Sequence, residues 1–209
     1  MKNGKTMTKP VSVDFIYDFG SLNAYLVHKV LPDISERTGI EFNYKPILLG
    51  GVFKLTNNQS PMMAFSGVKG KLDYQMLEIK RFVAQHKLTE FHMNEHFPIN
   101  TLMLMRGAIL AETENCSTSY NEMAFKAIWE ENLKMDDPQI FADRLTADGF
   151  GFFLDRISSP DVKAELMRVT QQAVDRGVFG APSFFVGDEM FFGKDRLLQV
   201  EAEINRQAV

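Results

Sequence analysis

The sequence predicts an α/β protein in which a strand-and-helix frame is interrupted by a large all-helical insertion. Three observations carry this. A strand, a helix and a second strand follow one another between Val13 and Lys45. Helical periodicity without strand signals then runs from about Pro61 to Gly177. A short hairpin and one more helix close the chain. At 209 residues, against about 150 per domain, the chain suits one large domain or a small one carrying an insertion. It can bury on the order of 70% of its unfolded surface.

Val13 to Asp18 is a β-branched and aromatic run and reads as a buried strand, ended by Phe19-Gly20-Ser21. Ser21 is placed as the N-cap of a helix whose apolar positions Leu22, Tyr25, Leu26 and Val30 fall at helical spacing. Pro32 is expected to kink or restart this helix, and Gly39 to close it. Ile40 to Lys45 alternates apolar and polar residues and reads as the second strand, limited by Pro46. Two strands joined through a helix imply a parallel pair with a right-handed crossover.

Within the helical block, Leu72, Met76, Ile79 and Val83 mark one stripe, and Val162, Leu166, Val169 and Ala173 another. Asp136-Asp137-Pro138 and Ser158-Ser159-Pro160 are helix-start signals. Leu102 to Leu110 is almost wholly apolar but much shorter than the roughly 18 residues of a membrane span, so it reads as a central core helix. Ser183 to Val186 reads as a strand, Gly187-Asp188 as a turn and Met190 to Phe192 as the returning strand. Leu197, Val200 and Ile204 form the buried stripe of the last helix, with Asp195 in its first turn.

Hydrophobic residues make up 45% of the chain and charged residues 24%, with a net charge of −4. This is ordinary globular usage, and it excludes disordered and fibrous classes. The 23 Lys and Arg residues are scattered, so no nucleic-acid face is expected. Met1 to Pro10 lacks the apolar run of about 7–15 residues that a secretory leader needs. No membrane association is expected, and a cytoplasmic location is. Cys116 is the single cysteine, which excludes an intrachain disulfide, a multi-cysteine zinc site and a Cys-x-x-Cys redox pair.

Each candidate site has a plain reading beside the functional one. Pro182, in Gly180-Ala181-Pro182-Ser183, can simply begin an edge strand. A cis bond there would instead turn the Ala181 backbone toward an extended, peptide-like ligand. Ser21 can be a plain cap contributing on the order of 1 kcal/mol, or a donor to a thiolate held against the helix dipole. Its flanks are not those of a Gly-x-Ser-x-Gly nucleophile. His92 to His96 matches His-x-x-Glu-His, but Phe97-Pro98 ends any helix there, so an interhelical loop is expected and no metal site. His28 and His86 read as isolated surface or partly buried residues. No Gly-rich nucleotide loop is present. The 18 Phe and 12 Met residues are mostly core material and could also line a pocket for an aromatic compound.

Four stretches together resemble a known family: Val13 to Leu26, Leu48 to Pro61, Lys71 to Tyr74 and Gly177 to Arg196. They look like 2-hydroxychromene-2-carboxylate isomerases, which are similar to kappa-class glutathione transferases and to DsbA-like disulfide oxidoreductases. The resemblance runs from Val13 to Ile204 and is looser through the helices. It implies a thioredoxin-like fold, with residues 11–60 and 177–209 as the thioredoxin-like domain and 61–176 as the inserted helical domain. It also implies a cis Pro182. Where the oxidoreductases carry Cys-x-x-Cys, this chain has Ser21-Leu22-Asn23-Ala24.

By that resemblance glutathione is the cofactor and Ser21 the catalytic residue that meets its thiol. Ser21, Leu22, Asn23, Asn58, Ala181, Pro182, Lys194, Asp195 and Arg196 form the implied glutathione site. Within it the Ala181 backbone pairs with the cysteinyl unit, and the Lys194 to Arg196 turn holds the γ-glutamyl end. Lys54, Lys71, Tyr74 and Asn100 are candidates on the substrate side. Leu22 stands where relatives commonly have proline, and Lys194 where a small polar residue is more usual. The implied activity is a glutathione-dependent isomerisation of a 2-hydroxychromene-2-carboxylate-type aromatic compound. The alternatives are a kappa-like transferase acting on an electrophile and a non-catalytic thiol- or peptide-binding module. The implied assembly is a homodimer.

Overall fold

The computed structural model describes residues 11–208, so the Met1 to Pro10 segment read above lies outside the described residues. Four strands, β1 (Val13–Tyr17), β2 (Phe42–Pro46), β3 (Ser183–Val186) and β4 (Glu189–Phe192), form one sheet in the order β2-β1-β3-β4. β1 and β2 are parallel, as their helical crossover requires, and the other pairs are antiparallel. Gly187, at φ 58°, makes the tight β3–β4 turn.

Helix α1 (Leu22–Thr38) connects β1 to β2 and is closed by Gly39 in the left-handed region at φ 69°. Pro32 does not restart it. The proline is exposed, and the helix continues through it with the loss of the one N–H that proline lacks. β2 begins at Phe42 rather than Ile40 and includes Pro46. The ladder continues into the Ile47 N–H, which donates to the Tyr17 carbonyl at 3.0 Å. Backbone directions alternate along a strand, so Pro46 faces away from β1, where a missing donor breaks no bond.

A helix absent from the sequence reading follows, α2 (Leu49–Leu55). Gly50 and Gly51 hide it, because glycine lowers helix propensity by about 1 kcal/mol per residue. The insertion holds α3 (Pro61–Ala64), α4 (Lys71–His86), α5 (Leu102–Thr113), α6 (Ser117–Trp129), α7 (Pro138–Ala147) and α8 (Pro160–Asp175). Ser60, Asp137 and Ser159 each precede a proline at the first helical position. Asp137 Oδ1 accepts from the Gln139 and Ile140 N–H groups. The chain ends in α9 (Leu197–Gln207), which buries Leu197, Val200 and Ile204. Asp195 lies just ahead of that helix, in a 3₁₀ turn over Lys194–Arg196.

Among the described residues two buried apolar clusters flank the sheet, the smaller holding Ile16, Val52, Val178 and Phe185, and the larger joining the sheet to most of the helices. Phe15, Tyr17 and Phe19 from β1 and its end pack with Tyr25 and Leu26 of α1, Leu104 and Ala108 of α5, and Tyr120, Phe125 and Trp129 of α6. Leu102 to Leu110 is central, as its composition required. α5 and α6 meet so closely that a Cβ on Gly107 would lie 1.9 Å from the Tyr120 hydroxyl. That hydroxyl donates to the Leu104 carbonyl at 3.0 Å. Among the described residues no helix is long and apolar enough to cross a membrane.

Candidate active site

The buried side chains of β1 fix the start of α1. Phe19 is locked by its carbonyl, which accepts from the Trp129 indole N–H at 2.8 Å, and the chain then turns through Gly20 into Ser21. Ser21 caps α1, its Oγ accepting from the Ala24 N–H at 3.2 Å. Its own O–H donates to the Ala181 carbonyl at 2.9 Å. The first turn of α1 carries no acidic residue, so its positive end is not offset from within the helix. Beside it, Asn23 Oδ1 is buried without a hydrogen-bond partner.

Across from Ser21, the Ala181–Pro182 peptide is cis, as the family resemblance implied. Phe97–Pro98 is a second cis peptide, which the sequence reading did not anticipate. The Pro182 carbonyl accepts from the Gly193 N–H at 2.9 Å and so ties the start of β3 to the turn that opens α9. The Asn58 side-chain amide donates to the Phe179 carbonyl at 3.0 Å, bringing the end of α2 to the same strand start. Ser21, Leu22, Asn23, Asn58, Ala181, Pro182 and the turn of Asp195 and Arg196 are therefore held around one backbone segment. The Phe179 and Phe192 rings stand 4.6 Å apart and remain exposed beside it. A Cβ on Gly180 would approach the Phe192 ring to 2.9 Å, so only glycine allows this close packing.

Lys194 is differently placed. Its side chain is buried in a cavity of about 290 Å³ lined by residues of α1, α4 and α9. Its ammonium lies 5.4 Å from the Phe82 ring centroid and pairs with Asp195. Asp195 therefore carries a cation already, although its side chain is 71% exposed. Of the substrate-side candidates, Asn100 is linked to the Ser21 turn through its chain neighbour Thr101. Its Oδ1 accepts from the Leu102 N–H at 3.0 Å one residue ahead of Thr101, the N-cap of α5, and Thr101 packs against Gly20. Lys54, Lys71 and Tyr74 are exposed on α2 and α4, and Lys71 lies 5.3 Å from the centroid of the Phe65 ring. No hydrogen bond or ion pair among the described residues joins these three to the Ser21–Ala181 pair.

The sequence reading missed Asp18. This buried carboxylate lies directly behind the Ser21 turn and is 1% exposed. Oδ1 accepts from the Gly20 N–H at 2.8 Å and the Thr101 hydroxyl at 2.7 Å, and Oδ2 accepts from the Leu49 N–H at 2.8 Å. The starts of α1, α2 and α5 thus converge on one carboxylate. Burial raises its pKa above the ordinary carboxylate value, against the lowering effect of the bonds from Leu49, Gly20 and Thr101. The sequence signal was an acid directly after the aromatic and β-branched run Phe15-Ile16-Tyr17. His92 to His96 forms an irregular loop in which Asn94 is the buried residue, donating to the Ile128 and Leu133 carbonyls. His28 is partly buried with both ring nitrogens bonded, to the Tyr44 hydroxyl at 2.7 Å and to Glu122 at 2.8 Å.

Residues 12–205 match the DSBA-like thioredoxin domain family. A 2-hydroxychromene-2-carboxylate isomerase of Pseudomonas sp. (strain C18) is 31% identical over 91% of this chain and 89% of that one. The human protein glutathione S-transferase kappa 1 is 24% identical over 90% of this chain and 88% of its own. A solved structure of 2-hydroxychromene-2-carboxylate isomerase superposes with a TM-score of 0.80 at 27% identity, covering 94% of this chain and 95% of that one. The chain is therefore an enzyme of the DSBA-like thioredoxin domain family, belonging within it with the 2-hydroxychromene-2-carboxylate isomerases.

Proposed function

We propose that the protein is a glutathione-dependent isomerase of an aromatic, ring-fused hydroxy acid of the 2-hydroxychromene-2-carboxylate type, acting without redox change. The observation that carries this is the Ser21 hydroxyl, at the N-terminus of α1, whose first turn carries no acidic residue, and 2.9 Å from the Ala181 carbonyl, in a site with no dithiol. Glutathione supplies a thiol that adds reversibly to an electrophilic carbon of the substrate and is returned when the isomerised product leaves.

In this reading the chain's own residues bind and orient. Ser21 turns its O–H from Ala181 to the sulfur, and with the first N–H groups of α1 favours the thiolate over the thiol. The Ala181 carbonyl, released by that turn, accepts from the backbone of the bound tripeptide. Asp195, at the exposed end of its pair with Lys194, meets the γ-glutamyl ammonium. Phe179 and Phe192 offer ring faces to an aromatic substrate.

Titration calorimetry with glutathione tests the binding, and absence of heat with the folded protein rejects the reading. Product analysis separates the chemistries. An isomerase converts a chromene acid with no net loss of glutathione, whereas the alternative, a kappa-like transferase, consumes one glutathione per chloronitrobenzene and releases chloride.

A further inference from the structure

We infer that Lys194 sets the specificity of the γ-glutamyl end of the site. It acts through Asp195, which it neutralises from inside the fold, so that the free amine of the thiol ligand becomes nearly dispensable and an acyl-cysteinylglycine thiol without an ammonium binds as well. The inference rests on the reading of the site as a glutathione site. Lys194 and Asp195 are chain neighbours that lie on opposite sides of the surface. The Lys194 side chain is 6% exposed and that of Asp195 71%. The turn that carries them is tied at both ends, by the Gly193 N–H on the Pro182 carbonyl and by the Leu197 N–H on the Lys194 carbonyl. Behind the turn, the Lys194 side chain shares its cavity with Val30 and Ile34 of α1 and Phe82 of α4. A buried ammonium keeps its charge only beside a partner. Among the described residues Asp195 is the one acid within ion-pair distance of it. Of the other acids lining that cavity, Glu201 is paired with Arg37 at 2.8 Å and Asp33 lies beyond ion-pair reach of Lys194. Lys194 therefore has no second carboxylate to turn to when a ligand arrives.

A ligand ammonium at the outer oxygen of Asp195 thus becomes a second cation on one carboxylate. It is drawn by the negative charge and repelled by the positive charge a carboxylate's width behind it, so the two effects largely cancel. Water at this exposed surface screens what is left. Arg196, the next residue of the turn, adds another cation, its guanidinium donating to the Asp195 carbonyl at 3.3 Å. Two cations and one anion favour a carboxylate over an ammonium. The γ-glutamyl end offers both groups, and its carboxylate is the one the turn rewards. The ligand class is a cysteinylglycine thiol whose acyl end keeps its carboxylate, with the amine optional.

Titration calorimetry on the full chain tests this with glutathione and with glutaryl-cysteinylglycine, which lacks only the amine. The parent is expected to bind the two within about threefold of each other, as for a screened surface pair. Lys194→Met keeps an apolar stem beside Phe82 and removes the charge. It is expected to prefer glutathione over the deaminated thiol by about tenfold or more, as for a hydrogen bond between charged groups. Lys194→Gln is a second uncharged variant with the same expectation, and Lys194→Arg is expected to keep the parent's ratio. Adding Asp195→Asn to Lys194→Met is expected to abolish the preference, since the lysine acts through that carboxylate. A lysine with a merely structural role would change both affinities together and leave their ratio where it was. A parent chain that itself prefers glutathione by about tenfold overturns the inference without any variant. So does an unchanged ratio in either uncharged variant, with folding checked by circular dichroism. A folded parent that binds neither thiol rejects the glutathione reading and this inference with it, whereas binding with the wrong ratios rejects the inference alone.

Discussion

The Ser21 hydroxyl and the Ala181 carbonyl lie 160 residues apart in sequence and 2.9 Å apart in space. One O–H thus links the start of α1 to the start of β3, the two halves of the sheet frame that the helical insertion separates. A serine hydroxyl has a single proton to give, so this link and donation by Ser21 to a bound thiolate exclude one another.

Ser21→Ala removes both this link and the cap on the Ala24 N–H. The expected loss of stability is about 1–2 kcal/mol, read from urea denaturation. Turnover is expected to fall about 100-fold or more, as it does when one donor to a developing anion is lost. A variant with normal turnover would return Ser21 to the role of a helix cap.

Asp18→Asn probes the convergence behind that turn. The carboxylate accepts from Gly20, Thr101 and Leu49 at once, and an amide of the same shape keeps only one accepting oxygen. Either the Leu49 or the Gly20 N–H then faces an N–H₂ group and is left unpaired in the interior. The expected cost is about 1–3 kcal/mol in denaturant unfolding. A change within a few tenths of a kcal/mol would mean that the three helix starts are held by packing rather than by this carboxylate.

These two residues show what a sequence makes legible. Ser21 could be read as a cap because a capping residue acts on an N–H three positions away, and its partner across the site followed from the Gly-Ala-Pro-Ser stretch and the family resemblance. Asp18 could not be read, because its partners are 2, 31 and 83 residues distant and only the folded chain brings them together. The frame of β1, α1, β3, β4 and α9 was visible in periodicity and turn residues. Helix α2 was masked by adjacent glycines whose local propensity is outweighed by tertiary packing of Val52, which is fully buried. The side chain of Lys194 was equally illegible, since its burial against Phe82 depends on α4, far away in the chain.

Gly107→Ala tests the contact between α5 and α6. In an isolated helix the change would be stabilising by up to about 1 kcal/mol. Here the new methyl would meet the Tyr120 ring and hydroxyl at 1.9–3.0 Å. Tyr120 is fully buried and its hydroxyl is committed to Leu104, so it cannot swing aside without losing a buried bond. The expected result is a net loss of about 1–3 kcal/mol. A rise in melting temperature would show that the two helices separate more easily than their packing indicates.

Glu122 is expected to contribute to acid unfolding. Hydrogen bonds from His28 and Lys29 hold its pKa down at about 2, against the opposing effect of partial burial. The folded value is thus below the unfolded one, near 4.5. A carboxylate of this kind stabilises the fold at any pH above its unfolded pKa, and that contribution is lost as the pH falls from about 4.5 to about 2. Glu122→Gln removes the titration, so its melting temperature should drop less steeply across this window than that of the parent chain. Some slope should persist, because Glu203 is likewise held at about 2 by Arg206 and Gln207. The Glu122 side chain is about half exposed, so salt screens its pairs and the difference between the two curves should shrink at high ionic strength. Melting curves at pH 7, 4.5, 3 and 2 decide the matter. Parallel curves for the two proteins would mean that the link from α1 to α6 through His28 and Lys29 carries no ionic stabilisation.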